Sequence, residues 1–151
     1  MLSNGWYWIG STDYKFSSSG AMVGAWVDVP CYSQYPELPT GCESVALTNL
    51  LNYYGFGLGK TIIADYYLPK GSNGNFVTAF DGNPRRSSGG LMGCVAPAIT
   101  IAGNNFLRAA GSGKQAKDVS FSSISSILNR LTCGQPVEMW NTEWGSWPGG
   151  R

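Results

Sequence analysis

Between Thr40 and Gly55 the apolar positions recur at helical spacing. Val45, Ala46, Leu50 and Tyr54, with Leu47 and Leu51 beside them, make one wide stripe. Thr40 and Glu43 stand ahead of it as a T-x-x-E capping box, so the pattern predicts a helix from Thr40 to a stop at Gly55. A second helix is predicted over residues 95–106, where Pro97 falls in the tolerant first turn. Ile124, Ile127, Leu128 and Leu131 predict a third, with Gly134 as its stop signal. The alternation Tyr14-Lys15-Phe16, followed by Ser18-Ser19-Gly20, predicts a hairpin strand and its turn. Residues 135–140 read as the start of a strand, and 71–75 and 111–113 as turns. The chain is therefore expected to be α+β, with helices on one side and an incomplete antiparallel sheet on the other.

Composition narrows the function. The chain has 151 residues, 43% hydrophobic and 13% charged, enough for one domain with a core. A formal net charge of +1 gives no electrostatic reason to expect nucleic acid or an anionic membrane as partner. With 21 Gly and 8 Pro, the chain should be rich in loops. No apolar run approaches the roughly 18 residues that span a bilayer. The start Met1-Leu2-Ser3-Asn4-Gly5-Trp6 has neither the basic nor the apolar region of an export signal. Cys31, Cys42, Cys94 and Cys133 show no C-x-x-C spacing, and there is no histidine, so neither a structural metal nor a cofactor is expected. Whether Cys31, Cys94 and Cys133 form disulfides or remain thiols is left open by their spacing.

Cys42 carries the candidate chemistry. In the first turn of a helix, unpaired N–H groups and the helix dipole favour a thiolate, the nucleophilic form. Gln34 precedes it across a loop stiffened by Pro36 and Pro39, and Gly41 permits close backbone approach. A Gln amide held there can donate to an oxyanion beside the Cys42 N–H, a contribution of about 10²–10³-fold in rate. On these residues alone, packing and catalysis both remain readings of Cys42.

The stretch Val29-Pro30-Cys31-Tyr32-Ser33-Gln34, Pro36-Glu37-Leu38-Pro39-Thr40-Gly41-Cys42-Glu43 and Leu51-Asn52-Tyr53-Tyr54-Gly55 resembles the C39-like branch of papain-fold cysteine peptidases. Ile63-Ala64-Asp65-Tyr66-Tyr67-Leu68-Pro69 and Gly134-Gln135-Pro136-Val137 are similar to it too, so the likeness runs from about residue 27 to 140. It implies a papain-like fold, a peptide or protein substrate, Cys42 as nucleophile and Gln34 as oxyanion donor. It also implies a histidine base and an orienting Asp or Asn on strands after the Gly-x-Pro-Val element. This chain has no histidine, so the expectation is a domain interrupted before those strands and nearly inactive as it stands. Asp65 and Glu143 are acids within the chain, though neither matches the missing role. The rivals are a non-catalytic surface-binding protein or pseudoenzyme, and a cysteine-dependent acyl transferase or amidase.

Other features read as structural. Gly55-Phe56-Gly57-Leu58-Gly59-Lys60-Thr61 fails the phosphate-loop spacing, since Tyr54 stands where a Gly is needed. Arg85-Arg86 reads as a solvated pair, and Trp140, Trp144 and Trp147 as packing residues.

Residues 1–27 form a separate aromatic, Gly-rich stretch ahead of the peptidase-like region at 28–151. Trp6 and Trp26 lie 20 residues apart. With Gly5-Trp6-Tyr7-Trp8 and Asp13-Tyr14-Lys15-Phe16, this stretch resembles one cell-wall-binding repeat of the choline- and glucan-binding type, a β-hairpin. The resemblance implies an aromatic site from Trp6, Tyr14 and Trp26, a cell-wall choline or glycan partner, and an extracellular or surface location in a Gram-positive-type bacterium. Asp13 and Gly24-Ala25-Trp26 depart from that pattern, and one hairpin cannot bury its own face.

Overall fold

The computed structural model describes residues 1–10, 12–90 and 92–140. The fold is mixed α+β. The N-terminal stretch is a three-stranded antiparallel meander, β1 (Gly5–Ile9), β2 (Thr12–Phe16) and β3 (Met22–Val27), in that order. The expected turn lies between β2 and β3, where the Ser17 N–H donates to Ala21 O at 2.8 Å. In the register, Trp8 pairs with Asp13 and Asp13 with Trp26, while Tyr7 pairs with Tyr14 and Tyr14 with Ala25. Cross-strand partners share a face and alternate residues change face. The meander thus has a tryptophan side and a tyrosine side.

The tyrosine side is tied down. Tyr14 donates its hydroxyl to Thr132 O at 2.6 Å, and Thr12 on the same face is buried. Thr132 ends α3 (Ile124–Thr132), against which β3 packs. This is how a small sheet with little core of its own is held.

The main core is helical. α1 (Cys42–Tyr53), the π-helical turn Ile63–Tyr67 and α2 (Ala96–Ala109) pack Leu47, Leu51, Ile63, Leu68, Ala98, Ala102 and Phe106 around Phe80. Phe80 lies on the short parallel pair β4 (Lys70–Gly71) and β5 (Phe80–Asp81). Phe56 and Tyr67 meet the Phe106 ring edge-on, with centroids 5.0 and 5.3 Å away. A second cluster, Leu38, Val45 and Ala64, seals the Pro-rich loop to α1. Pro97 sits in the first turn of α2 as predicted. Gly55 and Gly134 both stop their helices in the left-handed region, at φ +86° and +68°.

Several expectations are corrected. α3 forms at the predicted residues but joins no core, since Ile124 and Leu128 are exposed. Residues 135–140 are not a strand, because no other described strand lies alongside to pair with them. All four cysteines are free thiols: Cys94 is buried, and Cys31, Cys42 and Cys133 are exposed. Arg85 is not a merely solvated cation, because its guanidinium grips Asp65 at 2.9 and 2.7 Å. Glu143, Trp144 and Trp147 lie outside the described residues. No described helix is long and apolar enough to cross a membrane.

Candidate active site around Cys42

α1 starts at Cys42, two residues later than predicted, with Gly41 at the cap and no side-chain cap bond. The capping box fails because both its side chains have tertiary partners. The Thr40 hydroxyl donates to Arg86 O at 2.9 Å, fixing the 83–86 loop against the approach to the helix. Glu43 turns the other way and spans two groups. Its Oε2 accepts from the Cys42 thiol at 3.1 Å, and its Oε1 accepts the Cys94 N–H at 3.1 Å. The Cys94 carbonyl in turn accepts the Trp140 indole N–H at 3.1 Å. Behind the cap, Gly41 is packed where a Cβ would stand 3.0 Å from Leu38 Cβ and 3.1 Å from Pro84 Cβ. Only glycine lets the loop come this close.

The electrostatics reverse the expectation for Cys42. Its thiol is pushed up to about 11, first by desolvation, then by the Glu43 charge and the hydrogen bond to it. The Cys42 and Glu43 amides at the helix start act in the opposite direction but lose. The physical reason is magnitude: desolvation of the thiolate, with a full charge in contact added to it, outweighs a helix end equivalent to roughly half a charge. The Cys94 thiol is also held neutral, by burial first and then by Glu43, Glu138 and Cys42.

Gln34 is half-buried, and its side-chain amide donates to Pro39 O at 2.8 Å. One N–H therefore fixes the amide, while a second N–H remains on the same nitrogen. The loop around it is closed by Leu38 N–H to Gln34 O at 2.9 Å and by Lys60. The Lys60 ammonium donates to Ser33 O at 3.2 Å and Tyr35 O at 2.7 Å and pairs with Glu37, whose carboxyl is lowered by that contact. The glycine-rich loop that carries Lys60 closes on protein. Asn52 accepts the Leu58 N–H at 2.6 Å and donates back to Leu58 O at 2.9 Å.

Two acids complete the surroundings. Asp65 is engaged by Arg85, which lowers its carboxyl, so it is committed elsewhere. Glu138 carries no local sequence signal that marks it as functional. Burial, then the charge of Glu43, raises it to about 8, and its Oε2 is buried with no hydrogen-bond partner. Among the described residues no group of three or more Cys, Asp or Glu is placed to hold a metal.

The structure separates the three aromatics predicted as one ligand site. Trp6 and Trp26 share the open face of the meander, 54% and 62% exposed, and Tyr14 lies on the other face. Trp8, 63% exposed, takes its place beside them, and Lys15 lies over the Trp6 ring at 5.7 Å. Counting residues by strand alternation from Trp6 is enough to find Trp8; nothing local points to Glu138.

No curated protein and no solved structure matches the chain. A family match does exist and covers residues 26–148, which takes in Gln34, Cys42, Glu43 and the helices that frame them. By that match, over most of its length, the chain belongs to the Peptidase_C39 like family.

Proposed function

We propose that the domain is a cysteine peptidase on a papain-like fold, with Cys42 as the nucleophile toward a peptide amide carbonyl. The Cys42 N–H and the free N–H of Gln34 are assigned to the oxyanion. The observation that carries this reading is the thiol at the first residue of α1, exposed, with a glycine packed tightly behind it. Membership of the peptidase family supports it. The same surroundings make the present chain a weak catalyst. It has no histidine, and the carboxylate beside Cys42 favours the thiol over the thiolate. A positioned base contributes about 10²–10⁴-fold, and that contribution is missing.

The test is acyl-enzyme formation from an activated ester, followed by intact mass and peptide mapping. Acylation should map to Cys42 and vanish in Cys42→Ala, and Gln34→Ala should slow it by about 10²–10³-fold. Acylation at Cys31 or Cys133 in preference to Cys42 would sink the assignment. Fast hydrolysis of unactivated peptides by this chain, lost in Cys42→Ala, would sink the claim of weak activity.

A second role, attachment to a cell-wall choline or glycan at the cell surface, is favoured by the open face carrying Trp6, Trp8 and Trp26. Rings there are available for cation–π or stacking contact. Trp fluorescence titrated with choline or with a soluble glucan should change in the wild type and not in Trp8→Ala with Trp26→Ala. No change with either ligand rejects the attachment role and leaves the peptidase reading intact.

A further inference from the structure

A groove of about 340 Å³ runs between the loop at 29–31, α1 and the segment 136–139. Val29, Leu50, Val137 and Met139 give it apolar walls, and Glu138 is the one charged side chain lining it among the described residues. Ala46 and Asn49 line it from α1. At about 100° per residue, those two positions share a face with Cys42, and Ala46 stands one turn, about 5.4 Å, beyond it. The groove therefore lies along the face of α1 that bears Cys42, about one turn from it, with Cys31 lining it from the 29–31 loop.

Glu138 is an unusual lining residue. One carboxyl oxygen is buried with no donor, and the charge acting on the group is that of another carboxylate, Glu43. Buried carboxyls are ordinarily satisfied by hydrogen bonds or a cation. Apolar walls ending at an unsatisfied carboxyl match a long cationic side chain, whose methylene stem covers the walls while its head meets the acid. An extended Lys or Arg side chain is long enough to cross one helical turn. An Asp or Glu side chain would find no cation among the described lining residues and would feel the same repulsion from Glu43 that acts on Glu138.

We propose that Glu138 is a specificity determinant, and that the groove takes the Lys or Arg side chain of the residue whose carbonyl Cys42 attacks. The proposal rests on the reading of Cys42 as nucleophile. The raised pKa of Glu138 accords with it: the empty groove keeps the acid neutral, and an arriving cation draws off its proton.

The experiment uses peptidyl vinyl sulfones that differ only in the residue next to the warhead: Lys, norleucine or Glu. Labelling of the whole chain is followed by mass spectrometry on the peptide that contains Cys42, with iodoacetamide alkylation as the reference rate for each variant. The Lys probe should label Cys42 about tenfold or more faster than its norleucine counterpart, and the Glu probe slowest. Glu138→Gln should bring the Lys-to-norleucine ratio close to one. Glu138→Asp, which keeps the charge on a shorter stem, should retain its direction. Equal rates for Lys and norleucine, or a ratio that survives Glu138→Gln, overturns the inference while Cys42 stands as nucleophile. If every probe reacts with Cys31 or Cys133 ahead of Cys42, the nucleophile assignment falls, and this inference with it.

Discussion

Cys42 and Glu43 are neighbours in the chain and partners in space: the thiol of one donates to the carboxylate of the other at 3.1 Å. A histidine in that position would become a cation as it took the proton and would stabilise the thiolate. A carboxylate does the reverse, and with desolvation, the larger cause, it raises the thiol to about 11. The site therefore combines a thiol at a helix start with a neighbour that suppresses its thiolate.

Replacing Glu43 by Gln separates the two. The amide oxygen can still accept from Cys94 N–H, but the negative charge is gone. The Cys42 titration should move downward, toward the ordinary thiol value. Lowering the thiol pKa by one raises the thiolate fraction near neutral pH about tenfold. The check is iodoacetamide alkylation of Cys42 between about pH 7 and 10, where the variant should react faster at the lower end. An unchanged profile would mean that Glu43 does not control the thiol.

Glu138 should set the pH dependence of stability. The carboxyl loses its proton near 4.5 in the unfolded chain and near 8 in the folded one. Between those values the folded state binds more protons, so stability falls as pH rises and the full penalty is present above 8. The penalty corresponds to roughly 5 kcal/mol. Asp65 and Glu37 act in the opposite sense, because their ion pairs lower them and are lost only as acid titrates them. Thermal melts should therefore peak in mildly acidic solution and decline toward pH 8. Glu138→Gln should remove most of that decline, and a decline of the same size in the variant would show that another group causes it.

What the sequence disclosed and what it hid divide along a physical line. α3 follows from apolar spacing and a stop signal and α2 tolerates Pro97 in its first turn, all local signals, and both form close to the predicted residues. The predicted α1 matches at its C-terminus but begins two residues early. There, Thr40 and Glu43 give up a local cap for partners 46 and 51 positions away. The same nonlocality conceals Glu138. Pro136-Val137-Glu138-Met139 reads as an ordinary alternating strand, and only the packing of this segment across α1 buries the acid. The placement of Cys42 at a helix start and of Gln34 in a stiff loop is legible because those signals are local; the direction in which the Cys42 thiol is pushed is not.

Lys60 illustrates a residue whose role changes on folding. Its Gly-Lys-Thr context lacks the phosphate-loop spacing, and its ammonium holds Ser33 O, Tyr35 O and Glu37 around the loop that carries Gln34. Lys60→Met keeps the length of the side chain and removes the charge and donors. It should cost about 1–2 kcal/mol in urea unfolding and speed amide exchange at Leu38, whose N–H donates to Gln34 O. Acylation of Cys42 should slow as well, since Gln34 loses its fixed position. A stability loss with unchanged acylation would confine Lys60 to a structural role.

Gly41 offers the sharpest steric test of the site. An added methyl there would stand 3.0 Å from Leu38 Cβ, 3.1 Å from Pro84 Cβ and 3.2 Å from Ser44 Oγ. Backbone conformation is not the obstacle, because Gly41 has φ −104°, which alanine adopts freely. The Leu38 and Pro84 Cβ atoms are fixed to the backbone of the Pro-rich loop and the 83–86 loop, so neither yields without moving an element that frames Cys42. Gly41→Ala should therefore destabilise by about 1–3 kcal/mol. Because the strain falls at the residue before Cys42, acylation of Cys42 should drop by more than the unfolded fraction explains. Urea unfolding and acylation measured on the same sample compare the two losses directly. A variant as stable and as reactive as the wild type would mean that the helix start has room to shift, and the tight glycine behind Cys42 would no longer count as part of the catalytic arrangement.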